Sequence, residues 1–370
     1  MWKSCGAFVQ FRKDRNEALL SVPSQGDAFL VMTGTNNTGV LLLNLGAPAS
    51  PREVRSFLFQ LFRDKEIFPI PGGGVLQLLF SASVTLLRGS KVADRYRSLP
   101  GRGSPLLLIT RRQALALEKR LSLIGRPWPV EVAMRYSRPF ADAALKSLAA
   151  RGARSLLALP LYPQYSAATT GSSLRALRRS VSRCGTPWPL VEILFWHDRP
   201  DFHRAIANRV AAKVSELGGR NGLAVLFLAH SLPMRFVRAG DPYVKQVEET
   251  VKGVADAMET LEEVRGIPRF VAYQSQVGPV EWVGPDVKRA LQDILSSGIK
   301  RIVVAPVSFV SDHLETLYEI DRLHRRTALE MGFEVFERIE SLNDAAEFID
   351  LLARIVLERA EQRSGLGSTA

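Results

Sequence analysis

Two histidines stand where apolar runs end. His230 closes the run Leu223–Ala229, and His313 follows Arg301–Val307 through a polar corner, Ser311-Asp312-His313. An imidazole titrates near neutrality, so it can take up a proton or hold a transition metal. Glu315 lies two residues beyond His313, and Glu319 one helical turn further on the same side. A histidine at one strand end and carboxylates at another can serve as a base with a metal ligand, or as two bases. Plainer roles fit the same spacing. A histidine often satisfies a core hydrogen bond, and Asp312-x-x-Glu315 fits a capping box in which Glu315 reaches back to the backbone. Spacing leaves both readings open. His197, His203 and His324 fall in helical or loop contexts with no evident partner.

These corners need elements to hold them. Gly39-Val-Leu-Leu-Leu-Asn-Leu45, Val130–Tyr136 and Ser155–Leu161 read as buried strands in the first half; Leu223–Ala229, Phe270–Ser275 and Arg301–Val307 do so in the second. Helical patterns follow Pro51, with Ser50 as its N-cap, and Thr169-Thr-Gly-Ser-Ser173; others cover about 201–217, 243–263 and 285–297. Each half is thus strand, helices, strand, helix, strand, helix. The expected fold is α/β: two similar doubly wound (Rossmann-like) domains with parallel sheets facing a central cleft. Residues 1–37 read as a poorly ordered extension, 38–200 and 201–355 as the two domains, and 356–370 as a tail. At the strand ends the first half offers Asn44, Arg135, Tyr136 and Tyr165; the second offers His230, Gln274, Gln276, Asp312, His313 and Glu315.

Composition narrows the classes. Forty-nine Lys and Arg against 37 Asp and Glu give a net charge of +12, which favours an anionic partner. The basic residues are scattered along helices with no basic block interleaved with aromatics, so no nucleic-acid partner is expected. Cys5 and Cys184 form no CxxC or zinc-like pair, which points to a reducing compartment. No export signal and no run of about 18 apolar residues is present. Residues 67–80 combine bulky apolar side chains with two prolines and three glycines, as suits an exposed lip against lipid or an apolar ligand. GxGxxG after the first strand, GxxxxGK[ST], HExxH and GxSxG are all missing, so dinucleotide, phosphoryl-transfer and serine-hydrolase chemistry lack their usual equipment.

Longer strings around the same corners carry a resemblance. Ala229-His-Ser-Leu-Pro-Met234 with Gly240-Asp-Pro-Tyr243, Gln274-Ser-x-Val-Gly-Pro-x-x-Trp282, and Pro306-x-x-Phe-x-Ser-Asp-His-x-Glu-Thr-Leu-Tyr-Glu-x-Asp321 look like ferrochelatase. So do Leu43-Asn-Leu-Gly-x-Pro48, Arg135-Tyr136 and Tyr162-Pro-Gln-Tyr-Ser-x-x-Thr-Thr-Gly-Ser-Ser173. The strings run in the family's order over about residues 39–350.

The resemblance implies a lyase that inserts Fe²⁺ into a dicarboxylate porphyrin in the last step of protoheme synthesis. It makes His230 the proton acceptor or metal ligand and Glu315 the carboxylate across the macrocycle, with Glu319 on an acidic path. Leu45, Trp282 and Phe309 would line the porphyrin wall, and Arg88, Tyr96 and Ser104 would lie near the propionates; Arg135, Tyr136 and Tyr165 complete the expected pocket. Pro100-Gly-Arg-Gly-Ser104 is one residue longer than the family's usual run. Ala167 stands where iron–sulfur members have Cys, so no cluster and no tightly bound cofactor is expected, Fe²⁺ being substrate. Leu45 replaces the Tyr of coproporphyrin-using relatives, which favours protoporphyrin IX. A monomer or homodimer in the cytoplasm, touching the inner face of the membrane through 67–80, is the accompanying expectation. The alternatives are a coproporphyrin or other tetrapyrrole chelatase, and a non-catalytic tetrapyrrole- or metal-binding protein.

Overall fold

The structure is a computed structural model and describes residues 37–185, 188–276, 278 and 280–365. The extension expected over 1–37 lies outside the described residues, except for Asn37. Among the described residues the strands run β1 (Thr38–Asn44), β2 (Val130–Met134), β3 (Ser155–Pro160), β4 (Leu190–Glu192), β5 (Leu223–His230), β6 (Arg269–Gln274), β7 (Arg301–Pro306) and β8 (Val335–Arg338). They form two four-stranded parallel sheets of the same order, β2-β1-β3-β4 and β6-β5-β7-β8. The helices are α1 (Val54–Arg63), α2 (Gly73–Arg97), α3 (Leu106–Leu123), α4 (Ala141–Ala150), α5 (Ser172–Arg183), α6 (Pro200–Glu216), α7 (Met234–Arg238), α8 (Tyr243–Glu259), α9 (Val287–Ser296), α10 (Arg325–Glu330) and α11 (Ala346–Gly365). The doubly wound architecture is the expected one.

The two halves do not keep separate cores. On β1, Leu41 and Leu43 face α4 and α5, whereas Val40 and Leu42 face the other way. On β5, Ala224, Leu226 and Leu228 face α9 and α10, whereas Val225, Phe227 and Ala229 join the same cluster as Val40 and Leu42. Alternation with a period of two therefore sends one face of each sheet into a single shared core, completed by α3, α6, α8 and α11.

The structure refines the expected elements at three places. The tail begins as helix: α11 continues through Gly365 because Val356 is fully buried and Leu357 and Ala360 pack on the shared core. Ser50 stands at the N-cap with Pro at the helix start, as expected, but its side chain makes no bond to the helix backbone; Glu53 accepts from Ala49 N at 3.1 Å and from Ser50 Oγ at 3.3 Å. His197 has a partner after all, bonding Glu249 at 2.7 Å, and its carbonyl meets His203 Nε2 at 2.7 Å. His203 fits there because Gly253 of α8 has no side chain; a Cβ would meet the imidazole at 2.1 Å.

The lip is the opening of α2. Its breakers precede or start the helix, with Gly72 and Gly73 at positive φ. Val75, Leu76, Leu78 and Leu79 are 46–71% exposed, and the apolar surface extends past residue 80 to Leu86 and Leu87, 68% and 81% exposed. Among the described residues no helix is long and apolar enough to cross a membrane.

Candidate active site

His230 is the last residue of β5, and the ends of the neighbouring strands fix its place. Its backbone N–H donates to Ser308 Oγ at 3.0 Å, and its carbonyl accepts from Tyr243 O–H at 2.9 Å. The ring Nδ1 lies 2.7 Å from the Ser231 carbonyl, which can only accept, so Nδ1 carries the hydrogen. The neutral ring thus leaves Nε2 with a lone pair for a proton or a metal. Phe309 stands edge to face with His230 at 6.1 Å and with His313 at 4.7 Å.

His313 repeats the arrangement. Its Nδ1 donates to the Ser311 carbonyl at 2.9 Å, and its Nε2 sits 3.2 Å from Glu315 Oε2. Two acceptors that close repel each other, so the pair is satisfied when a proton or a cation lies between them. Among the described residues no three His, Cys, Asp or Glu side chains converge as a preformed metal cage.

Glu315 opens a π-helix, Glu315–His324, rather than the α-helix the spacing implied. Such a turn is rare and concentrates at functional sites. Glu319 Oε2 accepts from Ser275 Oγ at 2.5 Å, and Ser275 is held at φ +68°, a conformation few non-glycine residues adopt. Burial, then the charge of Glu315, pushes the Glu319 carboxyl up; Ser275, His230 and Arg95 pull against this without cancelling it. Tyr96, the buried end of α2, faces the same pair. Burial and the charges of Glu315 and Glu319 hold its phenol well above the ordinary value.

The capping-box reading of Asp312 and Glu315 fails on geometry. The Asp312 N–H donates to Asn343 Oδ1 at 2.9 Å, so Glu315 has no backbone donor to reach back to. Asp312 instead accepts from Thr316 O–H at 3.0 Å, Ser341 O–H at 2.8 Å and Asn343 Nδ2 at 2.9 Å, with Arg338 at 3.1 Å. Glu315 is left free for His313.

Trp282 is placed by a short antiparallel pairing with the loop after His230. Met234 N–H donates to the Glu281 carbonyl at 2.9 Å and Val283 N–H to the Leu232 carbonyl at 3.0 Å. Its indole N–H is buried without a partner. Leu45, Tyr96 and Tyr136 meet Leu314, Leu317 and Tyr318 of the π-helix corner in one apolar cluster. Arg135 and Tyr136 turn onto Asp64: guanidinium and carboxylate lie 2.5 Å apart, and the Tyr136 hydroxyl donates to Asp64 at 2.7 Å. Burial raises the Asp64 carboxyl, but Tyr136, Arg135, the Glu66 N–H and Ser172 together bring it below the usual range. Arg88 is exposed on α2. Ser104 accepts from Leu106 N–H at 3.3 Å at the start of α3. Tyr165 lies apart, at the seam where its N–H donates to Gln246 at 2.6 Å and Asp241 accepts from Ser166 and Ala167. Asp64, Arg95 and Asn343 escaped the sequence reading, and Ser275 entered it only within a longer string and as a strand end; a lone Asp, Ser, Arg or Asn carries no spacing that would have marked its role.

His324, at the end of the π-helix, gives a stability prediction. Burial pushes its imidazole down to about 4, against a smaller upward pull from Asp286, and Nε2 has no partner. The folded state therefore resists a proton that the unfolded chain accepts below about 6.5. Stability is expected to fall as pH drops from about 6.5 to about 4, by up to ~3 kcal/mol for this group. His324→Phe should flatten that part of the profile, read from urea midpoints across the window; an unchanged slope counts against the assignment.

The ferrochelatase family profile matches residues 37–360. The chain belongs to the ferrochelatase family. It is 40% identical over 321 residues to the ferrochelatase of Desulfotalea psychrophila, covering 87% of this chain and 97% of that protein. It is 40% identical over 331 residues to that of Gloeothece citriformis, covering 88% and 83%. The sirohydrochlorin chelatase SirB from Bacillus subtilis subspecies spizizenii, solved with cobalt, has a similar fold: TM-score 0.52 at 13% identity, over 89% of this chain and 97% of that one. As a ferrochelatase, the chain is a lyase, a metal chelatase of heme biosynthesis whose substrates are a porphyrin and a metal ion.

Proposed function

We propose that this ferrochelatase inserts Fe²⁺ into protoporphyrin IX, releasing the two pyrrole protons to give protoheme. The observation that carries the reading is the lone pair left on His230 Nε2, joined through Phe309 and His313 to the carboxylate of Glu315. His230 takes the pyrrole proton. Glu315 with His313 receives the cation from the opposite side, and Glu319, whose carboxyl is pushed up, relays protons or metal along the π-helix. Leu45, Trp282 and Phe309 form the wall against which the macrocycle bends, so that its nitrogen lone pairs become reachable. Arg88, with Tyr96 and Ser104 nearer the core, holds the propionate edge, a task suited to a guanidinium fork. Arg135 and Tyr136, through Asp64, brace the wall; Tyr136 N–H donates to the Leu45 carbonyl at 2.9 Å. Tyr165 acts from the seam between the halves.

Leu45 supports protoporphyrin, whose vinyl edge is apolar where coproporphyrin carries propionates. The exposed leucines of α2 support contact with a membrane from the cytoplasmic side. With Ala167 after the Tyr-Pro-Gln-Tyr-Ser string, no iron–sulfur cluster is part of the proposal. Initial rates with Fe²⁺ test the substrate. Protoporphyrin IX should exceed coproporphyrin III by roughly tenfold or more in kcat/KM, or ~1.4 kcal/mol. A reversed ratio would make the chain a coproporphyrin chelatase.

A further inference from the structure

The internal repeat is closer than strand order alone. β3 and β7 both end in proline, Pro160 and Pro306, and both run into a π-helix, Ala167–Gly171 in the first half and Glu315–His324 in the second. In register, Leu43 of β1 pairs with Pro160 as Leu228 of β5 pairs with Pro306. In the second half, the side chains reached from the end of β6 and from the π-helix after β7 are Ser275, Glu315 and Glu319. The matching place in the first half lies at the carboxyl ends of β1 and β2 and against α5. It is an open cavity of about 330 Å³ floored by Leu43, Ala133 and Met134. Ser173 stands there as far beyond Pro160 as Glu319 does beyond Pro306, 13 residues in each case.

The charge has been inverted. Where the second half presents carboxylates, this cavity is lined by Arg135, Arg179 and Arg183, with Asp142 its single acidic residue. Two hydroxyls lie among them, on Ser173 and Ser180, 5% and 3% exposed. The guanidiniums are not locked away from a ligand. The Arg183–Asp142 pair is 61% and 49% exposed, and Arg179 reaches Glu66 only at 3.9 Å. Exposed pairs of this kind are worth little and exchange readily. Arg135 is the anchored member, held by Asp64 and Ser172.

We propose that this crevice binds a small organic anion bearing carboxylate or phosphate oxygens. Crevices at the carboxyl ends of parallel strands are where doubly wound sheets bind ligands. Paired guanidiniums recognise planar or tetrahedral oxyanions through two-pronged hydrogen bonds; Ser180 already bonds Asp142 and Arg183, which leaves the Ser173 hydroxyl to add a donor. The volume lies near the lower end of ligand clefts, roughly 300–1,000 Å³, and the apolar floor suits a short carbon body. Arg135 is common to both places: it lines this cavity and, through Asp64, is joined to Tyr136 of the apolar cluster around Leu45.

Isothermal titration of the full chain, free of porphyrin, with inorganic phosphate and separately with succinate tests the proposal. One saturable site is expected, and the tighter probe identifies the oxyanion. Arg179→Glu combined with Arg183→Glu should weaken binding by about tenfold or more, and Ala176→Phe, which fills the cavity without changing charge, should do the same. Arg178→Glu on the same helix, where the native Arg178 bonds Glu192 and does not line the cavity, should leave affinity within about twofold. Circular dichroism melts of each variant confirm that the fold is kept. If neither probe saturates, or if Arg178→Glu weakens binding as much as the double variant, the site does not exist and only diffuse surface charge was read.

Discussion

His230→Ala is expected to lower kcat for metal insertion by about 10²–10⁴-fold, the usual contribution of a positioned proton acceptor. Porphyrin affinity, read from quenching of tryptophan fluorescence, should stay within a few-fold. The reason lies in how the ring is held. Nδ1–H is committed to the Ser231 carbonyl, so the only acceptor the neutral ring offers is Nε2, and Phe309 stands beside it edge to face. Removing the ring takes away the acceptor. The backbone bonds to Ser308 and Tyr243 run through main-chain atoms of residue 230 and remain, so the loop to Trp282 should keep its place. A purely structural histidine would behave differently, with affinity and melting temperature falling together and kcat recovering at low temperature. His230→Asn separates the two cases. It can keep a hydrogen bond to the Ser231 carbonyl but has no group that titrates near neutrality, so folding should be retained while turnover stays lost. Normal turnover in either variant would remove His230 from the mechanism.

Much of this site was visible before the fold was known, for a physical reason. Strands buried on both faces must be continuous apolar runs, so Leu223–Ala229 and Arg301–Val307 announced themselves. Parallel sheets place function at the ends of such runs, which directed attention to His230, His313 and Glu315. What was missed follows from the same reasoning. β4 and β8 are edge strands of three and four residues, mostly half-buried, and carry no long apolar run. The π-helix over Glu315–His324 places Leu314, Leu317 and Ile320 much as an α-helix would, and three apolar residues cannot separate the two periods. Asp64 matters because Arg135 and Tyr136 come to it across the fold. Asn343 matters because, at φ +46°, it turns its amide onto Asp312. Neither partnership leaves a local trace. The capping-box spacing is present, but the acceptor is another residue: Asn343 Oδ1, thirty-one residues from Asp312, takes the Asp312 N–H that Glu315 would have accepted.

Arg338→Met is expected to cost about 3–5 kcal/mol at neutral pH, the range for removing one member of a buried ion pair. Arg338 is only 9% exposed at its side chain and forks onto Asp321 at 2.7 and 2.9 Å while reaching Asp312 at 3.1 Å. It therefore ties Asp312, three residues before the π-helix, to a residue within it. Asp321 is 34% exposed and can be rehydrated, but Asp312 is 18% exposed and would be left charged without its cation. In the native protein burial raises the Asp312 carboxyl, yet Arg338, Asn343, Ser341 and Thr316 outweigh burial and hold it below the ordinary value. Its contribution is thus present above about 3.9 and lost as pH falls through the lower folded value. Without Arg338 the largest of these counterweights is lost, so the Asp312 carboxyl is expected to rise, against the remaining bonds from Asn343, Ser341 and Thr316. The stability gap between native and variant should then be widest at pH 7 and narrow on acidification towards about 4, as read from urea midpoints. A constant gap would mean that Arg338 contributes through packing alone. Arg338→Lys keeps the charge but not the fork, so it should recover part of the stability. Turnover should recover less, because the contacts of Arg338 with Asp312 and Asp321 span the stretch that carries Glu315 and Glu319.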